Sequence, residues 1–344
     1  MDGGLMSKEK VTLSEVAKLA GVSQSAVSRA FTPGSSVSQK TRDRIEAAAE
    51  ELGYRPNPIA RAMITGRSRI IGLVVAYLEN QFYPLAIERL SRALQARGYH
   101  ILIFLAENQE DDVTRVVDEL LDYRVDGIIT ASVAITNDLT TRCEDAGIPI
   151  VMFNRGQDDN RLSSVTSDNL AGGRTVANFL VACGHERIAH IAGWQGSSTG
   201  RDRARGFTEA LAEHGREPCA VLDGKYSTDV ARQLARELFG SADRPDAVFV
   251  GNDHMALPVM DVLRFELGLS VPGDVAVVGY DDVPVAGWPT YDLTTVRQSV
   301  NRMVEATVET LLGRVEGHTE PTRILIPGDL IQRGSTRKLD PFGT

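Results

Sequence analysis

The first 55 residues contain three short segments in which apolar residues recur every three or four positions, a spacing that predicts α-helices. Each segment follows a hydroxyl side chain that can cap a helix: one begins at Leu13 after Thr12, one runs from Gln24 to Phe31 after Ser23, and one runs from Gln39 to Leu52 after Ser38. Glu15 completes a capping box with Thr12, and Gly21 and Gly53 are typical helix stops. Only three residues separate the first two helices, which predicts a helix-turn-helix. A three-helix bundle that binds nothing is the alternative.

From Ile70 onward, short apolar runs alternate with amphipathic segments, a pattern that predicts parallel, doubly wound α/β sheets. The predicted strands are Ile70–Ala76, Ile101–Leu105, Gly127–Thr130, Ile150–Phe153, Ser164–Thr166, Ile188–Ala192, Ala247–Gly251 and Val275–Gly279. The predicted helices are Pro84–Arg97, Thr114–Tyr123, Gly172–Cys183, Arg203–His214, Asp229–Phe239 and Met255–Leu267. Two series of strands over this length indicate two lobes rather than one sheet.

Composition separates the beginning of the chain from the rest. The 344 residues suffice for two domains, and the net charge is −9. Residues 1–67 nevertheless carry ten Lys and Arg against seven Asp and Glu, so this segment is +3 and the remainder is −12. A basic segment on an acidic body is typical of a DNA-binding module joined to another domain. No apolar run is long enough to span a membrane, no signal peptide is predicted, and three widely spaced cysteines indicate a reducing cytosol.

The polar side of the second helix carries the chemistry expected for reading DNA. Gln24, Ser25 and Arg29 suit base edges, because Gln pairs with adenine and Arg with guanine in the major groove. Side chains that suit phosphate oxygens surround them: Thr12, Ser23, Ser28, Ser38, Lys40 and Thr41.

Residues 11–67 resemble the DNA-binding head of the lac repressor (LacI/GalR) family. The resemblance runs through V-T-L-x-E-V-A, A-G-V-S-x-x-x-V-S-R, V-S-x-K-T-R and G-Y-x-P-N. It implies a sequence-specific transcriptional regulator, expected to be a repressor. It also implies that Ile59–Ile64 form a hinge helix in the minor groove, with Asn57 at the DNA backbone and Met63 as the wedge between base pairs. A plain linker is the alternative for this stretch.

The remainder of the chain resembles the two-lobed, type I periplasmic-binding-protein fold that the same family uses to bind effectors. The resemblance extends from Ile70 to about Thr336 through motifs such as Gly251-Asn252-Asp253 and Val278-Gly279-Tyr280-Asp281-Asp282. Four segments are expected: a helix-turn-helix head (1–55), a hinge helix and linker (56–67), a two-lobed effector-binding and dimerisation domain (68–338) and a tail (339–344). Family topology implies that residues 70–165 and 294–321 form the DNA-proximal lobe, and 166–293 with 322–338 the distal lobe.

In open α/β sheets, ligands bind beyond the carboxyl ends of the strands. The residues there that also match effector contacts of the family are Phe82, Tyr83, Asn154, Thr199, Arg203, Tyr226, Asn252, Asp281 and Gln298. Aromatic faces, amides, a carboxylate and a guanidinium around one cavity suit a sugar or related polyol, with a nucleobase as the alternative effector. Asp168 and Asp253 are predicted equally well as helix caps or as ligand contacts.

The sequence also contains one motif that is typical of an enzyme. Gly196-Ser197-Ser198-Thr199-Gly200 fits the G-x-S-x-G nucleophile elbow, which would indicate a serine hydrolase with a DNA-binding head. The residues between strand and serine argue against this, and no enzyme activity, metal or cofactor is expected. A transport binding protein would lack the head. A homodimer on a pseudopalindromic operator is expected, because one head buries too little surface and no C-terminal leucine heptads are present.

Overall fold

The computed structural model describes residues 11–31, 35–55, 66–106, 110–133, 136–157 and 159–338, with the backbone alone at 110–112. The chain divides into two compact units, residues 1–69 and residues 70–344. No helix in the described ranges is both long and apolar enough to cross a membrane.

The described residues of the first unit form three helices: α1 (Leu13–Ala20), α2 (Gln24–Ala30) and α3 (Gln39–Leu52). The predicted caps are confirmed, because the hydroxyls of Thr12, Ser23 and Ser38 each accept a hydrogen bond from a first-turn N–H group. Gly21 and Gly53 end α1 and α3 in the left-handed conformation, at φ of 61° and 67°. A small apolar core that includes Val16, Val27 and Ile45, all fully buried, joins the three helices.

Two arginines of α3 stabilise the ends of the other helices. The guanidinium of Arg44 donates to the carbonyl oxygen of Ala20, at the end of α1, and that of Arg42 donates to Ala30, at the end of α2. Cations are favourable at helix C-termini because the last carbonyl groups lack partners within the helix. These two side chains therefore act within the fold, and part of the basic charge of this unit is structural.

The second unit consists of two lobes, each built on a six-stranded sheet. In the first lobe the spatial order is β11-β5-β4-β3-β1-β2, made of β1 (Ile70–Val75), β2 (His100–Leu105), β3 (Gly127–Ala131), β4 (Ile150–Phe153), β5 (Ser163–Ser167) and β11 (Arg323–Ile326). In the second lobe the order is β12-β10-β9-β8-β6-β7, made of β6 (Ile188–Ala192), β7 (Ala220–Asp223), β8 (Ala247–Val250), β9 (Ala276–Asp281), β10 (Thr294–Arg297) and β12 (Asp329–Ile331). All neighbouring strands are parallel except β10 and β12.

Helices cover both sheets. The helices of the first lobe are α4 (Phe82–Ala96), α5 (Glu110–Asp122), α6 (Asn137–Asp145) and α11 (Val300–Val315). Those of the second lobe are α7 (Asn169–Ala182), α8 (Ser198–Glu213), α9 (Thr228–Phe239) and α10 (Asp253–Asp261), which continues into a π-helical turn, Val262–Glu266. The two α/β lobes and the helical head confirm the predicted fold class.

The predicted lobe boundaries are wrong in two places. Strand β10 was expected in the first lobe, but it lies in the sheet of the second lobe, paired with β9. Strand β11 was expected in the second lobe, but it pairs with β5 in the sheet of the first lobe. The chain crosses between the lobes after β5, between β10 and α11, and between β11 and β12. Strand order along the sequence does not encode which sheet accepts a returning strand, so periodicity alone leaves these exchanges open.

Helices α7 and α8 pack backbone against backbone. A Cβ atom on Gly173 would lie 2.2 Å from the carbonyl oxygen of Arg203, and one on Gly206 would lie 2.1 Å from that of Leu170. Only glycine permits this approach, and it brings α8 against the first turn of α7. Arg203 is thereby fixed in the interior of the second lobe.

Candidate functional site

A cleft between the two lobes collects residues that follow the carboxyl ends of the strands. The strand order reverses between β1 and β3 in the first lobe and between β6 and β8 in the second, and ligands of such sheets bind at these switch points. The side chains that line the cleft cavity come from both lobes: Tyr77, Asn80, Tyr83, Ser132, Asn154, Arg155, Trp194, Ser197, Thr199, Arg203, Tyr226, Asn252 and Asp281. We call this set the effector cleft.

Four residues of the effector cleft adopt left-handed backbone conformations that side chains rarely take. Their φ angles are 67° at Ser132, 56° at Asn154, 56° at Tyr226 and 124° at Asp281. Each such conformation costs on the order of 1–3 kcal/mol and persists only where the surrounding structure imposes it, typically at functional sites. Four of them around one cavity mark the cleft as a site independently of any sequence motif.

Arg203 and Asp281 form a buried ion pair at the base of the effector cleft. Arg203 Nη1 lies 3.5 Å from Asp281 Oδ1, and both side chains are almost fully buried. Arg203 also donates to Asn169 Oδ1 (2.8 Å) and to the carbonyl oxygen of Gly251 (2.6 Å), and its guanidinium lies 3.7 Å from the centre of the Tyr280 ring. Protein groups thus hold the guanidinium on several sides.

The carboxylate of Asp281 has equally complete protein partners. Asn80 donates to its Oδ2 (3.1 Å) and Gln298 donates to its Oδ1 (2.7 Å). Burial raises the pKa of Asp281, while the charge of Arg203 and these two hydrogen bonds oppose the rise. Asp281 therefore connects Asn80 of the first lobe to Arg203 of the second.

Asp253 and Asn252 serve the fold of the second lobe. The carboxylate of Asp253 accepts hydrogen bonds from Val283 N (2.9 Å) and Thr295 Oγ1 (2.6 Å), and Asn252 Oδ1 caps α10 by accepting from Met255 N (3.0 Å). Burial raises the pKa of Asp253 well above its usual range, and the neighbouring Asp281 adds to the rise. Asp168 likewise caps α7, because it accepts from Ala171 N (3.0 Å). The helix-cap prediction is confirmed for Asp168 and is wrong for Asp253, because Asn252 caps α10 and Asp253 is the first residue of that helix.

Seven of the nine predicted effector contacts line the cleft, and two do not. Phe82 is 1% exposed, stacks on Phe153 with ring centroids 6.1 Å apart, and lines a neighbouring cavity together with Gln298. Both residues contact side chains of the cleft without lining it. The backbone N–H of Phe82 donates to Asn80 Oδ1, and Gln298 donates to Asp281. Sequence reasoning missed Ser132, Arg155 and Trp194 in the lining, since no motif singles them out, and it singled out Ser197 only within the G-x-S-x-G motif.

Contacts between described residues of the two lobes span the cleft. Besides the hydrogen bond from Asn80 to Asp281, Gly156 N donates to Ser198 Oγ (2.9 Å), and the guanidinium of Arg155 lies 5.2 Å from the centre of the Trp194 ring. The cavity in the cleft has a volume of only about 30 Å³, enough for one or two water-sized molecules. Admission of a larger ligand therefore requires the lobes to separate or these side chains to move.

The cleft also contains hydrogen-bonding capacity that the described residues do not use. Asn154 Oδ1 is a buried acceptor without a partner in the described part of the chain. On the facing lobe, Tyr226 presents a hydroxyl that bonds to Thr199 Oγ1 at 3.1 Å. A ligand hydroxyl can donate to Asn154 and accept from its neighbours, because hydroxyl groups do both.

Helix α2 presents the predicted base-reading side chains to solvent. Gln24, Ser25 and Arg29 are exposed, whereas Ser28 is half-buried. The apolar side of the same helix, with Val27 and Ala30, is buried in the small core, so the polar side is held outward. This arrangement leaves the side chains of Gln24 and Arg29 able to reach base edges.

The predicted phosphate contacts gather at helix N-termini, where anions bind favourably. Thr12, Ser23 and Ser38 are the caps of α1, α2 and α3, and the hydroxyl of Thr41 lies 2.8 Å from that of Ser38. Lys40 is exposed in the first turn of α3. At α1 the carboxylate of Glu15 already accepts from Thr12 N (2.7 Å), and this backbone hydrogen bond lowers the pKa of Glu15, so a phosphate at Thr12 competes with it. Asn57 and Met63 lie outside the described residues.

No clustered metal ligands are found among the described residues, and the serine of the G-x-S-x-G motif contributes to the contact between the lobes. Ser198 is the first residue of α8, and its hydroxyl accepts the N–H of Gly156 in the contact between the lobes.

Comparisons with known proteins cover both units. Residues 12–57 match the model of the bacterial regulatory proteins of the lacI family, and residues 177–336 match the periplasmic binding protein-like domain. The chain is 35% identical over 338 residues to the HTH-type transcriptional regulator CelR of Thermobifida fusca, covering 95% of this chain and 99% of CelR.

Two solved structures are similar over nearly the whole chain. One is the lac repressor dimer bound to operator and the anti-inducer ONPF, with a TM-score of 0.86, 30% identity, and coverage of 95% of this chain and 99% of the repressor. The other is a complex of the transcriptional regulator CelR with cellobiose, with a TM-score of 0.72, 34% identity, and coverage of 95% and 100%.

Proposed function

Because the chain belongs to the lacI family of bacterial regulatory proteins, we propose specific residues for its two activities, DNA reading and effector binding. It is a sequence-specific DNA-binding transcriptional regulator, and a homodimer, whose affinity for operator DNA responds to a small ligand. We also propose that the segments of the chain end at residues 55, 67 and 338, with the hinge at 56–67 and a tail beyond 338. The main observation in support of the DNA-binding function is that α2 presents its polar side to solvent, while its apolar side packs against the other capped helices.

In the proposed complex, α2 lies in the major groove. Gln24, Ser25 and Arg29 read base edges, and the helix N-termini and Lys40 bind phosphates on either side. Met63 remains the predicted minor-groove wedge and Asn57 a predicted backbone contact. Selection of operator sequences from a random DNA library by the full-length protein tests this function directly, and a pseudopalindromic consensus is expected. Recovery of no preferred sequence would contradict it.

Replacement of Lys40 by alanine is expected to weaken binding to operator and to random DNA by similar factors. Lys40 is proposed to neutralise one phosphate, so its loss lowers the slope of log K against log salt by about one. Titrations at several salt concentrations measure that slope. Lys225→Ala, an exposed lysine of the second lobe, is the matched control and should leave it unchanged. An unaltered slope in Lys40→Ala would exclude a phosphate contact.

For the effector, we propose a sugar or related polyol. Tyrosine hydroxyls, the unused acceptor of Asn154 and the hydroxyl of Thr199 face one cavity and can each pair with a ligand hydroxyl. Support comes also from the similar CelR structure, which contains cellobiose. A thermal-shift screen of cellobiose, monosaccharides, polyols and purine bases tests the class, since a ligand at 100 times its Kd stabilises by about 2.7 kcal/mol. A response to purine bases alone would favour the nucleobase alternative.

Tyr226→Phe is expected to weaken binding of the ligand found in that screen. The change removes one hydroxyl that lines the cleft, and a neutral hydrogen bond contributes about 0.5–1.5 kcal/mol, which corresponds to a roughly two- to twelvefold increase in Kd. Isothermal titration calorimetry measures the effect. Tyr291→Phe, a half-buried tyrosine of the same lobe outside the cleft, should bind as the parent does. Equal affinities in both variants would remove Tyr226 from the site.

We also propose that the protein catalyses no reaction and acts in the bacterial cytoplasm, where operator DNA is found. The hydroxyl of Ser198 is engaged with the backbone of Gly156 and its hydrogen-bond partners include no histidine among the described residues. A serine nucleophile needs a base within hydrogen-bond reach. Labelling by a fluorophosphonate probe tests this proposal, and stoichiometric labelling at Ser198 would refute it.

A further inference from the structure

A second cavity, of about 410 Å³, shares Asp281 with the effector cleft but is lined by other elements. Its walls come from α4, from the turn after β9 and from the segment that leads from β10 into α11, so both lobes contribute. Three guanidinium groups line it, those of Arg89, Arg297 and Arg302. We call it the hinge cavity, because it lies where the chain passes between the two lobes; the name does not refer to the hinge helix at 56–67. We infer that the hinge cavity binds the phosphate group of a small metabolite, at a site separate from the effector cleft and beyond the function proposed above.

The carboxylates in the wall of the hinge cavity are already paired. Asp282 accepts from Arg297 Nε and from Arg333 Nη2, each at 2.6 Å, and Asp281 is paired with Arg203. Neither Arg89 nor Arg302 forms an ion pair with any described residue. The cavity therefore has an excess of positive charge that a bound anion would balance. Guanidinium groups that lack a carboxylate partner can bind phosphate oxygens with favourable geometry.

The start of α11 adds to this attraction. The helix is 16 residues long, and its first residue follows Ser299, whose hydroxyl donates to the carbonyl oxygen of Pro327 (3.4 Å) and does not cap the helix. Asn301 and Arg302 lie in the first turn, where N–H groups have no partner within a helix. An uncapped helix N-terminus beside arginine side chains is a favourable environment for a dianion.

The size and composition of the hinge cavity favour a phosphorylated metabolite over the free ion. Its volume falls in the range of small-molecule sites, about 300–1,000 Å³. Phe82, Leu85 and Val283 contribute apolar side chains to the wall. Because α4 and α11 belong to one lobe and Asp282 and Arg297 to the other, a ligand held by both couples its binding to the arrangement of the lobes.

Titration of the full-length protein with inorganic phosphate tests the inference, with sodium chloride adjusted to constant ionic strength. We expect a saturable rise in melting temperature and saturable broadening of the phosphorus-31 resonance. Arg302→Gln and Arg89→Gln should each raise the apparent Kd for phosphate tenfold or more, since a charged hydrogen bond is lost. Arg92→Gln, an exposed arginine on α4 that pairs with Glu88, is the matched control and should bind as the parent does.

The location is tested separately from the function of the cleft. Two properties should be the same in Arg302→Gln as in the parent: the operator affinity measured in the absence of phosphate, and the affinity of the cleft for sugar. Failure of either activity is therefore distinguishable from failure of this inference. Phosphate binding that both variants retain would overturn it. So would loss of phosphate binding in Arg155→Gln alone, because the anion would then bind in the effector cleft.

Discussion

Asp281→Ala is expected to destabilise the two-lobed unit by about 3–5 kcal/mol, because removal of one member of a buried ion pair leaves the other charge uncompensated. Arg203 would lose its only carboxylate among the described residues, and the donors of Asn80 and Gln298 would lose their shared acceptor. The melting temperature of this unit should fall by roughly 10 °C. Circular dichroism melts measure the change. The bond from Asn80 also joins the lobes, so effector-free operator binding should weaken as well.

Glu266→Ala provides the control for this prediction. Glu266 pairs with Arg236 at 2.6 Å, but both side chains are exposed to about 40–50%, and such solvent-screened surface pairs contribute little to stability. If Asp281→Ala has the same melting temperature as Glu266→Ala and has lost only its response to the ligand, then Asp281 is a ligand contact and not part of the framework. The double variant Arg203→Ala/Asp281→Ala should be less destabilised than the sum of the single variants, because neither charge is then left unpaired.

Arg29→Ala is expected to reduce affinity for the selected operator by about 1–3 kcal/mol, or roughly five- to 150-fold, with little loss on random DNA. The reason is that Arg29 is exposed on the polar side of α2 and is proposed to bond to a base edge, which only the correct sequence provides. Gln24→Ala should behave in the same way at a different base pair. Fluorescence anisotropy titrations against operator, single-base variants of it and random DNA measure both.

The control for these substitutions is Arg205→Ala, an exposed arginine on α8 that removes the same charge from the second unit. It should bind all three DNAs as the parent does. Equal losses on operator and random DNA in Arg29→Ala would show a phosphate contact and would remove Arg29 from the base-reading set.

The helices of the first unit were predictable almost to the residue because their limits depend on local chemistry. Hydroxyl caps at Thr12, Ser23 and Ser38 and glycine stops at Gly21 and Gly53 act within four residues of the positions they determine. The single difference is Phe31, which follows α2 as its C-cap rather than ending it. Conversely, the contacts of Arg42 and Arg44 to the ends of α2 and α1 depend on the packed fold, so no local pattern in the sequence indicates them.

In the two-lobed unit, short strands were predictable only where they form an unbroken apolar run, as β4 and β8 do. The missed strands β7, β10, β11 and β12 have three or four residues each and include a charged residue, so they show neither an apolar run nor a period. Helices α6 and α11 were also missed. The left-handed backbone at Ser132, Asn154, Tyr226 and Asp281 has no sequence signature, since glycine, the usual residue at such positions, is absent.

The division of labour within the effector cleft has a consequence for building ligand sensors from this protein. Arg203, Asn80 and Asp281 are held by protein partners and maintain the lobe framework, so a library that varies them would mostly yield unfolded variants. Tyr77 and Tyr226 line the same cavity without belonging to that buried network or to the contacts that join the lobes. Randomising these two positions, with the framework residues left constant, is the route by which a new effector specificity could be selected while the switch that connects it to DNA is preserved.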